Sequence, residues 1–251
     1  MRASASLLFV LSLWQVCVCE AQEKASPPSR KHSPAIALEQ MPFATGQSSA
    51  HVQSGPPQDE HPRIFWIVPT HAVVQGKPAG PLSTAGKFHL FVKDKTDPFT
   101  IGWVAFEAGI SQATNGLSGY GQGAAGYSKR FGAGMADETA NGFFGTFLLP
   151  SVFRQDPRYY RLGSGSFQKR FGHALIRPFL THKDSGGRAF NWSGTLGSIA
   201  ASGLSNAYYP NDERGLEATF SRVAWSLPNS AIDELINEFG PDVQRKLFGK
   251  K

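Results

Sequence analysis

The sequence predicts a mainly α-helical fold, a small-residue-rich bundle of about five to six helices behind a disordered N-terminal tether. Three observations predict it. Ten of the 17 prolines fall between residues 22 and 85, among Ser, Gln and His runs that leave little apolar surface to bury. From Thr84 onward, capping and stop residues bracket segments of helical length, and no long period-2 alternation appears. Gly, Ala and Ser recur at spacing four, which places small residues on one helical face where backbones approach closely.

The first element is a leader. Arg2 precedes an apolar run from Leu7 to Trp14, and Cys19 and Ala21 put small residues at −3 and −1 of a cut after Ala21. Residues 1–21 are therefore expected to be a signal peptide, and the protein is expected in the periplasm or cell envelope. Both cysteines, Cys17 and Cys19, lie in this leader. A mature chain from Gln22 then has no thiol, which excludes disulfides, thiol nucleophiles and Cys–metal sites. Residues 22–62 read as the Pro/Ser/Gln-rich spacer. Residues 63–85 read as an extended segment docking on the core, because Ile64-Phe65-Trp66-Ile67-Val68 is a β-branched and aromatic run stopped by Pro69.

Residues 86–248 are expected to form the bundle. Ser83 or Thr84 caps a helix to about Lys95. Asp97 and Pro98 are an N-cap and N1 pair that opens a second helix to about Ala113. Asn115-Gly116 and glycines 119, 121 and 123 mark a loop. A third helix runs from about Gly123 to Leu149 and stops at Pro150, and residues 151–165 read as a loop. A fourth spans 166–180, broken or kinked at Pro178. Asp184-Ser185-Gly186-Gly187 is a turn. A fifth covers 191–207, and a sixth covers 212–239, disturbed at Pro228 and stopped by Gly240-Pro241.

The small-residue faces are Ala105/Gly109/Ala113, Gly194/Ser198/Ser202 and Gly197/Ala201/Ser205. They suit tight crossings within the chain or a homo-oligomer. The uncharged run 189–211 is long enough to span a bilayer, yet it holds Asn191, Thr195, Asn206 and four serines. An integral membrane bundle is thus an alternative to a soluble or peripheral one.

The most unusual segment lies between residues 154 and 177. It holds six basic residues (Arg154, Arg158, Arg161, Lys169, Arg170 and Arg177) and one acid, Asp156. Its excess of five positive charges equals that of residues 86–251 as a whole, which carry 19 basic and 14 acidic residues. Tyr159, Tyr160, Phe167 and Phe171 are interleaved with the charges. Arginine forks suit phosphate and carboxylate, and tyrosine suits a membrane interface. The expected anion-binding set is Arg154, Asp156, Arg158, Tyr159, Arg161, Arg170 and Arg177. The bland alternative is a solvated basic loop paired with Asp156.

Other chemistry is weakly marked. His173, His182 and Asp184 lie close together beside Ser185, but no G-x-S-x-G elbow is present and the histidine spacing fits no common metal site. Arg170-x6-Arg177-Pro178 has the outline of a lipid-phosphatase first motif, but Pro228 stands where the nucleophilic His is required after Ser221-Arg222. Glu107, Asp137 and Glu138 sit in small or apolar helical stretches, where paired carboxylates would serve hydrolysis and salt bridges to Lys129 or Arg130 would be structural. No metal and no cofactor is expected. The positive charge alone does not make a nucleic-acid reader, and export argues against that partner.

Five segments carry a resemblance. They are Phe88 to Pro98, Gly119-Tyr120-Gly121-Gln122-Gly123, Lys129-Arg130-Phe131-Gly132, Leu149 to Tyr159 and Leu204 to Pro210. Together, over roughly 63–245, they resemble a family of exported bacterial envelope proteins with no assigned activity. The resemblance implies location and domain extent only. The expected function is non-catalytic binding of a membrane surface or anionic envelope component through the Arg/Tyr segment. An envelope hydrolase using carboxylates or the His182/Asp184 loop is the alternative.

Overall fold

A computed structural model describes residues 63–75 and 79–248. The leader and the spacer expected over 1–62 lie outside the described residues. The described chain is mainly α. Its helices are α1 (Thr84–Lys95), α2 (Pro98–Ala113), α3 (Gly123–Gly142), α4 (Phe167–Ile176), α5 (Trp192–Ser205) and α6 (Leu216–Phe248). Short strands are β1 (Val73–Val74), β2 (Gln155–Asp156), β3 (Tyr159–Tyr160), β4 (Leu180–Lys183) and β5 (Arg188–Phe190). The bundle packs α2 on α3, and α5 between α3 and α6, while α4 lies on α6.

Local chemistry sets the helix starts. Ser83 Oγ accepts from Gly86 N at α1, and Asp97 Oδ1 accepts from Phe99 N at α2, ahead of the N1 proline. Asp97 is also the anchor for the entering chain, through Arg63 Nη2 at 2.6 Å and His71 Nε2 at 3.0 Å. The run Ile64 to Val68 is a tight turn rather than a strand. Its Ile64 and Val68 form an isolated bridge, and Phe65 and Trp66 hold left-handed backbones. Ile64 is buried against Gly240, where an added Cβ would fall 2.9 Å from Ile64 Cγ2.

Two proline boundaries, Pro150 and Pro241, differ from expectation, while the break at Pro178 falls where it is expected. The helix begun by α3 does not stop at Pro150. It widens into a π-helical stretch, Phe143–Leu148, and closes with a last turn, Leu149–Val152. A proline crowds the carbonyl four residues back, here that of Thr146 inside the widened stretch. α6 runs on through both Pro228 and Pro241. The fourth helix, α4, ends at Ile176, and residues 180–183 form β4 instead.

The expected loop 151–165 contributes two strands. β2 pairs antiparallel with β4, which pairs with β5 across the Asp184 to Gly187 turn. Gly186 and Gly187 have φ of 90° and 79°, the positive values that such a turn requires. β3 pairs parallel with β1, so the entering chain is stitched to Tyr159 and Tyr160. The Gly197/Ala201/Ser205 face is used inside the molecule. Gly197 lies against Gly145 of the π-helical stretch, backbone to backbone, and Ala201 and Ser205 are buried.

Candidate functional site

The basic segment divides into an inward and an outward half. The inward half is a network around α6. Glu238, fully buried, accepts from Tyr159 Oη (2.8 Å), Arg170 Nε (2.6 Å), Leu162 N (3.0 Å) and Gly163 N (3.0 Å). Its main-chain oxygen accepts from Arg161 Nε and Arg170 Nη2. Asp242 pairs with Arg161 at 2.9 Å and also with Arg170 and Arg245. Burial opposes ionisation of Asp242, but these three guanidiniums hold its carboxyl down at about 2. Burial is likewise outweighed at Glu238, by Arg170 and Tyr159.

A second centre forms on β2. Buried Asp156 accepts from Arg158 Nη2 (2.6 Å), Arg158 N (3.0 Å) and Tyr160 Oη (2.7 Å). These donors outweigh burial and hold its carboxyl below the usual range. Burial and the Asp156 contact push the Tyr160 phenol up to about 12. Arg177 is buried and donates to the main-chain oxygens of Arg158 (2.8 Å) and Asp156 (3.3 Å). Six of the seven expected anion-binding residues (Asp156, Arg158, Tyr159, Arg161, Arg170 and Arg177) are therefore tied to partners within the chain. Only Arg154 stands outward, on a left-handed backbone of φ 51°.

The outward cations of the segment are Arg154 and Lys169, and Lys183 of β4 and Arg188 of β5 are exposed as well. Between residues 154 and 211 the acids are Asp156 and Asp184 alone. Asp156 is buried, and Asp184 pairs with Lys87 Nζ at 2.6 Å. The outward charge of this region is thus positive.

Beside these cations lies an apolar face. α5 turns Trp192, Leu196, Ile199 and Leu204 outward, with no polar side chain among its exposed positions, and buries Ser193, Ser202 and Ser205. α4 exposes Phe167, Phe171, Leu175 and Ile176. The two helices are joined through Phe179 and Phe190, both exposed, with Asn191 N bonded to Phe179 O at 2.8 Å. A helix of a water-facing bundle shows the opposite arrangement, apolar inward and polar outward. The sequence signal for this face was the spacing of Trp192, Leu196 and Ile199. It was masked by the serines, which mark the opposite face of the same helix.

The residues considered for hydrolysis are separately engaged. Asp137 accepts at 2.6 Å from each of Ser205 Oγ, Tyr208 Oη and Tyr209 Oη. Glu138 pairs with Lys95 at 2.7 Å. His182 packs against the Tyr160 ring at 4.3 Å, and burial and Arg177 push its imidazole below the ordinary value. Among the described residues no three His, Cys, Asp or Glu side chains gather as a metal ion requires. No described helix is long and apolar enough to cross a membrane. Comparison with known protein families, with curated proteins and with solved structures finds no match to this chain.

Proposed function

We propose that the protein is an exported, non-catalytic component of the cell envelope that docks on an anionic membrane surface. The observation that carries the reading is the reversed distribution on α5, apolar outward and serine inward, beside four exposed cations with no exposed carboxylate among them. An apolar, aromatic-bearing face flanked by Lys and Arg suits the headgroup boundary, where rings enter the acyl region and cations meet phosphate. The length of α5 favours lying in that plane. Its 14 residues extend about 21 Å, short of the ~30 Å hydrocarbon core. The inward Arg/Tyr network is the frame that fixes this surface. Export rests on the leader read from the sequence.

The test is sedimentation with phosphatidylglycerol vesicles, with phosphatidylcholine vesicles as comparison. The protein is expected to pellet with the first and weakly with the second. Replacing Arg154, Lys169, Lys183 and Arg188 together by Ser is expected to remove the preference. Replacing Trp192, Leu196 and Ile199 by Ser is expected to remove binding. A parent protein that stays in the supernatant, or variants that pellet like the parent, would overturn the reading.

A further inference from the structure

A second surface sits at the other end of α5. The Ser118–Tyr120 turn and the loop from Tyr208 to Arg214 face one another around an open cavity of about 570 Å3. Gly119 permits the approach, because a Cβ there would fall 2.5 Å from Pro210 Cβ. Tyr120, Tyr208 and Tyr209 line the cavity.

The rings are fixed before any ligand arrives. Asp137 takes the hydroxyls of Tyr208 and Tyr209, Tyr120 Oη donates to Tyr208 O at 2.8 Å, and Arg222 lies 5.0 Å from the Tyr209 centroid. Burial and Asp137 raise the phenols of Tyr208 and Tyr209, so both stay protonated at neutral pH and keep their bonds to Asp137. Preorganised side chains of this kind lower the ordering cost of binding. Around the rings stand polar groups with little to do within the chain. Lys129 is exposed, and its ammonium has no hydrogen bond or ion pair among the described residues. Arg214 uses Nε on Tyr209 O, which leaves both Nη groups for a ligand. Asn211 and Asp212 add acceptors on the same wall.

We propose that this cavity binds an acidic saccharide. Aromatic walls with mixed donors and acceptors suit a ligand that has apolar C–H faces and many hydroxyls. Lys129 and Arg214 together outnumber Asp212, so a carboxylate on the sugar completes the match. Ring geometry argues against a nucleotide. Tyr120 and Tyr209 are tilted by 53° with centroids 6.3 Å apart, which is not a parallel slot for a flat base. The cavity is wide and open, as a site on a polymer chain requires. The docking face reaches Leu204 near the same end of α5, but none of its residues lines this cavity.

Two probes test it, purified peptidoglycan sacculi and a hexamer of galacturonic acid, with maltohexaose and ATP as comparators. The protein is expected to bind at least one acidic glycan at least tenfold more tightly than maltohexaose. The double variant Lys129→Ala and Arg214→Ala is expected to lose that margin. Tyr120→Ala is expected to weaken binding at least tenfold at unchanged helical circular dichroism. Binding to neither acidic glycan, equal binding of maltohexaose, tighter binding of ATP, or a double variant that binds like the parent overturns the proposal. Vesicle sedimentation of the same double variant is expected to be unchanged, so failure here is distinguishable from failure of membrane docking.

Discussion

Glu238 shows what a single residue contributes. Its carboxylate meets four donors and its carbonyl two more, drawn from β3, the following loop and α4. Replacing Glu238 by Gln leaves Arg170 short of a buried counter-charge. The expected cost is about 3 kcal/mol, or a Tm fall of roughly 6–12 °C in a domain of this size, read by thermal denaturation. The same network sets the acid response. Asp242, Glu238 and Asp156 all have lowered carboxyl values, so their stabilisation is complete above the unfolded value near 4 and fades as pH falls through the folded one. Denaturant midpoints are expected to fall between about pH 4 and 2. Asp242→Asn should flatten part of that slope. The arginines were visible in the sequence as an isolated cluster with one acid. Their main partners lie some 70 to 80 residues away on α6, beyond the reach of any local pattern.

Elements were legible where their signals are local. The caps Ser83 and Asp97, the Gly186-Gly187 turn and the small face of α5 follow from neighbouring residues. The helix ends expected at Pro150 and Pro241 were not. Lys87 Nζ reaches the Pro150 carbonyl from α1, and Arg161 and Arg170 reach the Glu238 carbonyl near Pro241, contacts from distant residues that no local pattern shows. Strands of two to four residues are too short to show alternation, which hid the β2–β4–β5 sheet. The Gly145–Gly197 contact yields a sharp expectation. A Cβ at Gly197 lies 3.1 Å from both Cα and N of Gly145, and main chain cannot rotate aside. Gly197→Val should therefore cost about 1–3 kcal/mol, measured by urea denaturation. Gly203, where an added Cβ meets nothing, should accept alanine with a small gain.

At the scale of the molecule, polar and apolar surfaces are distributed against the usual order. The interior holds Lys87, Asp97, Arg130, Asp156, Arg177 and Glu238, while aromatic and aliphatic side chains of α4 and α5 face outward. Composition could not show this, because counts are indifferent to direction. Vesicle-bound protein is expected to resist release by moderate salt and yield to alkaline carbonate. The exposed apolar face survives screening of the cations, whereas an embedded bundle would survive both treatments. One more property follows from the way the chain enters the bundle. Ile64 rests on Gly240, Phe65 N donates to Gln244 Oε1 at 2.8 Å, and the Phe65 and Trp66 rings meet Phe248 at 6.2 and 5.1 Å. The first and last described turns are thus neighbours, and the fold is nearly a closed circuit. A peptide joining residue 248 to residue 63, with a new opening at Gly186-Gly187, would give a circular permutant that keeps every helix crossing. It also means that the chain enters at residue 63 and leaves at residue 248 from the same patch of surface.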